Sequence, residues 1–567
     1  MRLPEGPGVV RRAERQGGGD GELQPFNKPE ALSAVEAYER LTYPGFAYPA
    51  THPGRCEAIG RLFGLRPAPA RSCRVLELGC GDGGNALSIA QTLPDARVLG
   101  VDASPGAIER GTKLALAAGL ANVELRCATF EQLGDGIEPT GNDPGDSSGR
   151  RQSANEPAEF DYIVAHGVYS WVPPQARGAL LDCVKRCLAP EGIAFISYNA
   201  YPGSYLRDMA RDMLRYHVQG VSDPGERLAR AQELMKTIVE IEQPSPFARV
   251  LREQMERMLG YSDALLFHDD LAEVSTPFYF HEFVEHARAR GLQFLSEADL
   301  FESQMRDVPE SAGHLMGSLP QDAVVREQYM DFFKNRMFRQ TLICHEAAPL
   351  NRTLDETAIE GLWVSSRARL GGGAEEGKGE EGRAPVETQP VSQGPALGED
   401  PEARTFLTLE GFSMTTSEPL VQAAMGALAE VWPRSMAFPT LLARARKAVG
   451  PEALSELVAA RLSAVLLQAY LSRIVMLSGC PPPVIGEVGE RPTVSPLARA
   501  QSAAGLKALS SLLHANVRLD GELEASMLDL LDGTRTLAEV AAALSASPEQ
   551  IEECVERLAS VGLLWAT

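Results

Sequence analysis

No stretch of this 567-residue sequence holds the roughly 18 to 20 consecutive apolar residues that a bilayer-crossing helix needs. Residues Met1–Glu30 lack the apolar core of a signal peptide and are rich in Gly and Arg, so a secretory signal is not expected there. The nine cysteines, at 56, 73, 80, 127, 183, 187, 344, 480 and 554, form neither a disulfide framework nor a paired CxxC zinc pattern. That scatter suits a reducing compartment, and a cytoplasmic protein with no membrane association is the expectation. Positive charge is scarce as well: 54 Lys and Arg stand against 76 Asp and Glu, a net charge of −22. A general nucleic-acid-coating protein would need a basic face, so nucleic acid is excluded as the expected partner. No internal repeat of fixed period is present. What the chain does have is 44% hydrophobic residues, enough for several cores. At roughly 150 residues per domain, the length corresponds to about three or four domains.

Three stretches carry too few apolar side chains to bury. They are 1–27, which contains Gly17-Gly18-Gly19, then 134–159, and finally 371–400, which reads as an interdomain linker. Between the first two, apolar runs alternate with helical spacing. Arg74–Leu78 is a buried strand stopped by Gly79, and Asn85–Leu93 is helical. Arg97–Val101 is a second strand ended by Asp102, followed by a helix over Ala107–Ala118 with Pro105 near its start. Val123–Arg126 is a third strand. Beyond the polar insertion come a fourth strand, Tyr162–Ala165, a helix over Ala176–Leu188 and a fifth strand, Ile193–Ser197. Such alternation predicts an α/β fold: a mostly parallel, Rossmann-like sheet with helices on both faces. Ligands in such sheets bind beyond the carboxyl ends of the strands. From 220 to 345 the pattern is helical, with amphipathic spacing over Arg227–Ile241 and Ala248–Leu259 and a short helix over Phe280–Ala289. The end of the region 405–567, from Leu531 through Gly562-Leu563-Leu564-Trp565, suggests a winged helix.

The functional signal is concentrated in Glu77-Leu78-Gly79-Cys80-Gly81-Asp82-Gly83-Gly84-Asn85, just after the first strand. Glycines at such a turn let the backbone curl tightly and approach a ligand closely. Gly79, Gly81 and Gly84 fit the GxGxxG of dinucleotide binders. Asp102, at the tip of the next strand, can accept two ribose hydroxyls, which supports a nucleoside without choosing a cofactor. Glu77 argues against a pyrophosphate, because a carboxylate at the strand end would repel it.

Glu77, Gly79, Gly81 and Gly83 also fit the ExGxGxG of class I S-adenosylmethionine (SAM) methyltransferases, which this region resembles. The strand Phe160-Asp161-Tyr162-Ile163-Val164-Ala165 is similar to the one that opens into the methyl-transfer site of that class. The resemblance narrows to a bacterial subfamily with a methyltransferase regulatory domain, which includes rickettsial protein-lysine methyltransferases. It is carried by His166-Gly167-Val168-Tyr169-Ser170-Trp171-Val172-Pro173, by Tyr43-Pro44, Tyr48-Pro49 and Thr51-His52-Pro53, and by Tyr198-Asn199-Ala200-Tyr201-Pro202-Gly203. Phe267-His268-Asp269-Asp270 and Pro277–Phe283 are similar to the regulatory domain. The resemblance covers residues 30–345 closely and the C-terminal region loosely. It implies a methyltransferase domain over 28–219, with 134–159 as a flexible insertion, and a regulatory-like helical domain over 220–345. A winged-helix-like region over 405–567 should then fold separately beyond the linker and need not touch the cofactor.

For the cofactor the resemblance implies SAM. Glu77, Gly79, Cys80, Gly81, Asp82 and Gly83 should hold the methionine part, Asp102 with Ala103 the ribose, and Thr129-Phe130 the adenine edge. Ala165-His166 should form the floor below the sulfonium. Asn85 is either a plain N-cap or a contact to the methionine end. Tyr43, Trp171, Tyr198, Tyr169, Asn199 and His166 are the candidates for orienting or deprotonating the acceptor, with Tyr198 or His166 carrying the proton. For Tyr48 and Tyr201 ordinary edge packing is the expectation. His281 and His286 are five residues apart, about 140° on a helix, and cannot clamp one zinc. Cys183 and Cys187, at i and i+4, read as core packing, so no metal site is expected. Residues 497–567 hold five basic against ten acidic residues, the wrong sign for a DNA-reading wing. A protein or peptide substrate leads, with a homodimer through the helical middle domain as a further expectation. A small-molecule O- or N-methyltransferase, a non-catalytic SAM-binding regulator and a nicotinamide dehydrogenase remain as alternatives.

Overall fold

The structure is a computed structural model that describes residues 43, 45–135, 159–241, 245–305, 308, 310–371, 402–450 and 457–565. The expected unstructured stretches 1–27, most of 134–159 and nearly all of 371–400 lie outside the described residues. Seven strands form the central sheet: β1 Arg74–Leu78, β2 Arg97–Asp102, β3 Val123–Cys127, β4 Phe160–Ala165, β5 Leu188–Asn199, β6 Leu292–Glu297 and β7 Phe338–His345. Their order is β3-β2-β1-β4-β5-β7-β6. The first five run parallel, and β7 is antiparallel to both β5 and β6. This is the Rossmann-like methyltransferase sheet.

The two-residue period of a strand sorts its side chains between two cores. Val75, Val98, Val164 and Phe195 face the helices Pro53–Leu62 and Gly84–Thr92. Leu76, Leu78, Ile163 and Ile196 face the helices Pro174–Cys187 and Phe280–Arg288 on the other side. Cys183 and Cys187 lie in this second core, their Sγ atoms 3.9 Å apart. Chain order reverses between β1 and β4, which opens a crevice at the carboxyl ends of these strands.

Two expected boundaries are corrected. The sheet does not close within 28–219, because β6 and β7 come from the stretch expected to be helical. Arg339 of β7 is fully buried and anchors this addition. Its guanidinium bonds Glu297 of β6 at 2.6 Å, and Glu327 at 3.0 Å and Asp331 at 2.8 Å on the helix Ala323–Lys334. The helices Ser204–His217, Pro224–Glu240 and Pro246–Leu259 pack as a helical unit around Leu214, Leu228, Met235 and Met255.

Nor does 405–567 fold as one separate winged-helix region. The strands Trp363–Ser365, Met436–Ala437 and Met476–Ser478 pair antiparallel. With the helices Pro419–Val431, Phe438–Val449 and Leu457–Tyr470 they share one continuous core with the methyltransferase sheet, from Ile59 and Val75 to Leu428, Leu441 and Leu466. Only the last part is a winged helix with its own core of Val494, Leu528, Val540, Ile551 and Leu558. Its helices Leu537–Leu544 and Pro548–Ser560 start with capping boxes, Thr536 with Glu539 and Ser547 with Gln550. Among the described residues no helix is long and apolar enough to cross a membrane.

Candidate active site

The crevice at the carboxyl ends of β1 and β4 deepens into a cavity of about 680 Å³. Its floor is the glycine loop. Gly81 takes a φ of 58°, in the left-handed region, and a Cβ there would point into open space. The loop is pinned by Asp102 at the tip of β2: Oδ2 accepts from the Gly81 N–H at 2.8 Å and Oδ1 from the Ser104 N–H at 2.9 Å. Asp102 thereby pins the glycine loop through one oxygen and caps its own turn through the other while facing the cavity.

Glu77 is buried at the end of β1. The Asn85 side-chain amide donates to its Oε1 at 3.0 Å. Its Oε2, also buried, makes no hydrogen bond of normal geometry among the described residues, although the Ala86 backbone N–H is close enough to favour the charged form. Burial pushes the Glu77 carboxyl up to about 8, against hydrogen bonds from the Asn85 side chain and the Ala86 backbone. A buried, half-satisfied carboxylate is costly alone and suits a cationic or hydrogen-donating ligand group. Burial also raises the neighbouring Asp82.

Of the expected cofactor residues, Glu77, Gly79, Cys80, Gly81, Asp82, Asn85, Asp102, Ala103, Thr129, Phe130 and His166 all line this cavity. Gly83 does not; it takes a left-handed turn (φ 79°) at the start of the following helix, against Leu125. Ala165 also stays out, fully buried in β4 behind His166. Cys80 is buried and its thiol is raised well above the ordinary range by burial, which leaves it neutral.

The expected acceptor residues divide. Tyr43, His166, Trp171 and Asn199 line the cavity. Tyr198 and Tyr169 do not, and both expectations are corrected. The strand period that brings Asn199 to the cavity turns Tyr198 into the opposite core, where its ring stacks on Phe283 and its hydroxyl meets Thr341 at 3.2 Å. Tyr169 is buried under the helix Phe280–Arg288, its hydroxyl 2.5 Å from His286 Nδ1. Burial raises both phenols, which opposes any role as a proton acceptor. His166 is held down to about 3 by desolvation and stays neutral. Tyr48, expected only to pack, stacks on it with ring centroids 3.6 Å apart and faces the cavity.

Further lining comes from segments that the sequence separates from the sheet. Phe338 enters from the start of β7 and Met337 from just before it, Arg207 from the first helix of the helical unit, Arg257 from its third and Tyr261 from just beyond that helix. Asp269 enters from a π-helical turn, Leu266–Asp270, a distortion that recurs at functional sites. Its carboxylate lies 3.6 Å from Arg207, which bonds the buried Asp270 more closely at 2.7 Å. Burial lifts Asp269 to about 6 despite Arg207. The one signal for it in the sequence was the acidic pair beside His268, whose ring meets Tyr43 edge-on at 5.8 Å.

Residues 76–194 match the family described as "Methyltransferase domain", 262–345 match "Predicted methyltransferase regulatory domain", and 490–555 match "PKMT, C-terminal winged helix domain". Two curated proteins of Rickettsia prowazekii (strain Madrid E) are similar. "Uncharacterized protein RP028" is 34% identical over 46% of this chain and 96% of its own length. "Uncharacterized protein RP789" is 33% identical over 57% of this chain, which spans only 55% of that protein. Among solved structures, PKMT2 from Rickettsia typhi in complex with AdoHcy superimposes with a TM-score of 0.73. That match covers 92% of this chain and 99% of the other at 26% identity. The chain belongs to the SAM-dependent methyltransferases that carry this regulatory domain and winged helix, and its cofactor is SAM. The cavity fits that group: Gly81 presents bare backbone, Glu77 a buried carboxyl with an under-satisfied oxygen, and Asp102 a carboxylate facing the cavity.

Proposed function

We propose that this methyltransferase transfers its methyl group to a protein lysine. The observation that carries the reading is the cavity lining beyond the cofactor residues, where the rings of Tyr43, Tyr48, Trp171 and Phe338 face the cavity together with the carboxylate of Asp269. The similarity to the rickettsial PKMT2 over nearly the whole chain supports it.

When bound, SAM supplies a sulfonium-activated methyl group open to in-line displacement. The rest is orientation and desolvation by this chain. Glu77 and the loop 79–82 hold the methionine part, Asp102 the ribose, and Thr129 with Phe130 the adenine edge. The aromatic slot takes the lysine side chain out of water, which favours the neutral amine over the ammonium, whose solution pKa is about 10.4. Asp269 draws the ammonium in and accepts its proton, then returns it to solvent. His166, neutral and stacked on Tyr48, serves as wall and hydrogen-bond partner and takes no proton.

The test is incubation with methyl-labelled SAM and a lysate of the source cell, followed by acid hydrolysis of the labelled fraction. The expected result is label in a protein band that yields methyl-lysine. Label in an extractable small molecule, or no transfer at all, overturns the reading.

A further inference from the structure

One wall of the cofactor cavity is a single extended segment, residues 45–48, which contributes Gly45, Phe46 and Tyr48. It belongs to no sheet and so has no ladder to satisfy its backbone polar groups. Side chains satisfy them instead. The Gly45 N–H bonds the Asp82 carboxylate. The Tyr48 N–H donates to Asn85 Oδ1 at 2.9 Å. Ala47, 1% exposed between them, is served from a different domain. Its N–H donates to Asn516 Oδ1 at 2.9 Å, and its carbonyl accepts from Asn516 Nδ2 at 2.7 Å. Asn516 lies on the small hairpin of the winged helix, paired with Ser510. The amide reproduces the two bonds of a strand partner.

His514 reinforces the contact from behind. It takes a left-handed φ of 53°, is buried, and touches Ser88 Oγ at 2.8 Å and Thr51 Oγ1 at 3.4 Å. Thr51 in turn donates to the Tyr48 carbonyl at 2.8 Å and meets Asn85 Oδ1 at 3.1 Å. Asn85 is the residue that donates to Glu77. The segment also lies hard against the glycine loop: a Cβ on Gly84 would fall 2.5 Å from the Gly45 carbonyl carbon. Backbone rests on backbone, so a displaced segment is felt at once in the loop that holds the cofactor.

We propose that Asn516, backed by His514, is a positioning residue for SAM binding: the winged helix completes the cofactor cavity by holding its 45–48 wall in place. The domain's hairpin is used on this chain's own backbone.

The test is calorimetric titration of the full chain with AdoHcy, combined with amide hydrogen exchange. Asn516→Ala should raise the dissociation constant about tenfold, the scale for losing two backbone-directed hydrogen bonds. The Ala47 and Tyr48 amides should exchange faster while those of the winged-helix core, around Val540 and Ile551, keep their protection. Asn516→Asp, which keeps the acceptor for the Ala47 N–H and lacks the donor, should fall between Ala and the parent. Arg518→Ala, an exposed change on the same hairpin, should leave affinity unaltered. Parent-like AdoHcy affinity in Asn516→Ala overturns the proposal. So does equal weakening by Arg518→Ala, which would mean that affinity follows the general state of the hairpin and not this contact.

Discussion

Asp102 does two things at once, since one oxygen pins the glycine loop through Gly81, the other caps its own turn at Ser104, and it faces the cavity. Asp102→Ala should therefore weaken AdoHcy binding by about 1.5–3 kcal/mol, the range for hydrogen bonds to a charged group, measurable by calorimetry. Glu77 gives a pH signature in the protein without ligand. Its folded-state pKa of about 8 lies above the 4.5 of the unfolded chain. Between these values the folded state binds more protons than the unfolded state. Its contribution to stability is thus whole below about 4.5 and is lost as pH rises through 8. Glu77→Gln, which stays neutral, should melt higher than the parent at pH 8, with the difference shrinking towards pH 5. With the proposed role as proton acceptor, Asp269 should act in the opposite sense on turnover. With its pKa lifted to about 6, the proton-accepting carboxylate is lost as pH falls through that value. The pH profile of kcat/KM should show an acid limb near 6. Asp269→Asn should lose that limb and about a hundredfold or more of rate, as for other general bases, with AdoHcy affinity nearly unchanged.

At the scale of elements, the strands β1 to β5 and the glycine loop were legible because each signal is local: an apolar run, a turn of glycines, an acid at the next strand's tip. β6 and β7 were not. They are short runs between helices, and their place in the sheet rests on pairing between Asn199 and Phe338, about 140 positions apart. No periodicity encodes that. The same blindness hid part of the cavity lining, because Phe338 and Asp269 belong to a stretch that looks like a separate domain until the chain is folded. Tyr198 and Tyr169 failed for a different reason. They stand next to cavity residues in sequence, but the alternation of β5 and the cover of the helix Phe280–Arg288 turn them into the core. What fixes β7 is Arg339, fully buried among Glu297, Glu327 and Asp331 with its guanidinium 3.8 Å from the Phe280 ring centroid. Removing one partner of a buried ion cluster leaves uncompensated charge, at a cost of about 3–5 kcal/mol. Arg339→Met should lower the denaturation midpoint accordingly. It should also reduce AdoHcy affinity, since β7 brings Phe338, and Met337 just before it, to the cavity.

For the whole molecule the question is whether the C-terminal half is an appendage or part of one folding unit. A polar linker suggested an appendage, but the core crosses it: Leu428 and Leu441 belong to the same apolar cluster as Ile59 and Val75, and Ser495 bonds Gln91 at 2.8 Å across 404 positions. Burial of this kind couples the two halves in unfolding. Leu428, on the helix Pro419–Val431, is fully buried and does not line the cofactor cavity. Leu428→Ala should cost about 2–5 kcal/mol, the range for leucine truncation in a core. The informative part is what AdoHcy then does. A ligand at one hundred times its dissociation constant stabilises whatever unfolds with its site by about 2.7 kcal/mol. If the halves unfold together, AdoHcy should raise the melting temperature of Leu428→Ala by nearly as much as that of the parent, within a single calorimetric transition. Two transitions, with AdoHcy moving only the one that Leu428→Ala leaves alone, would show that the C-terminal half melts independently despite the shared core.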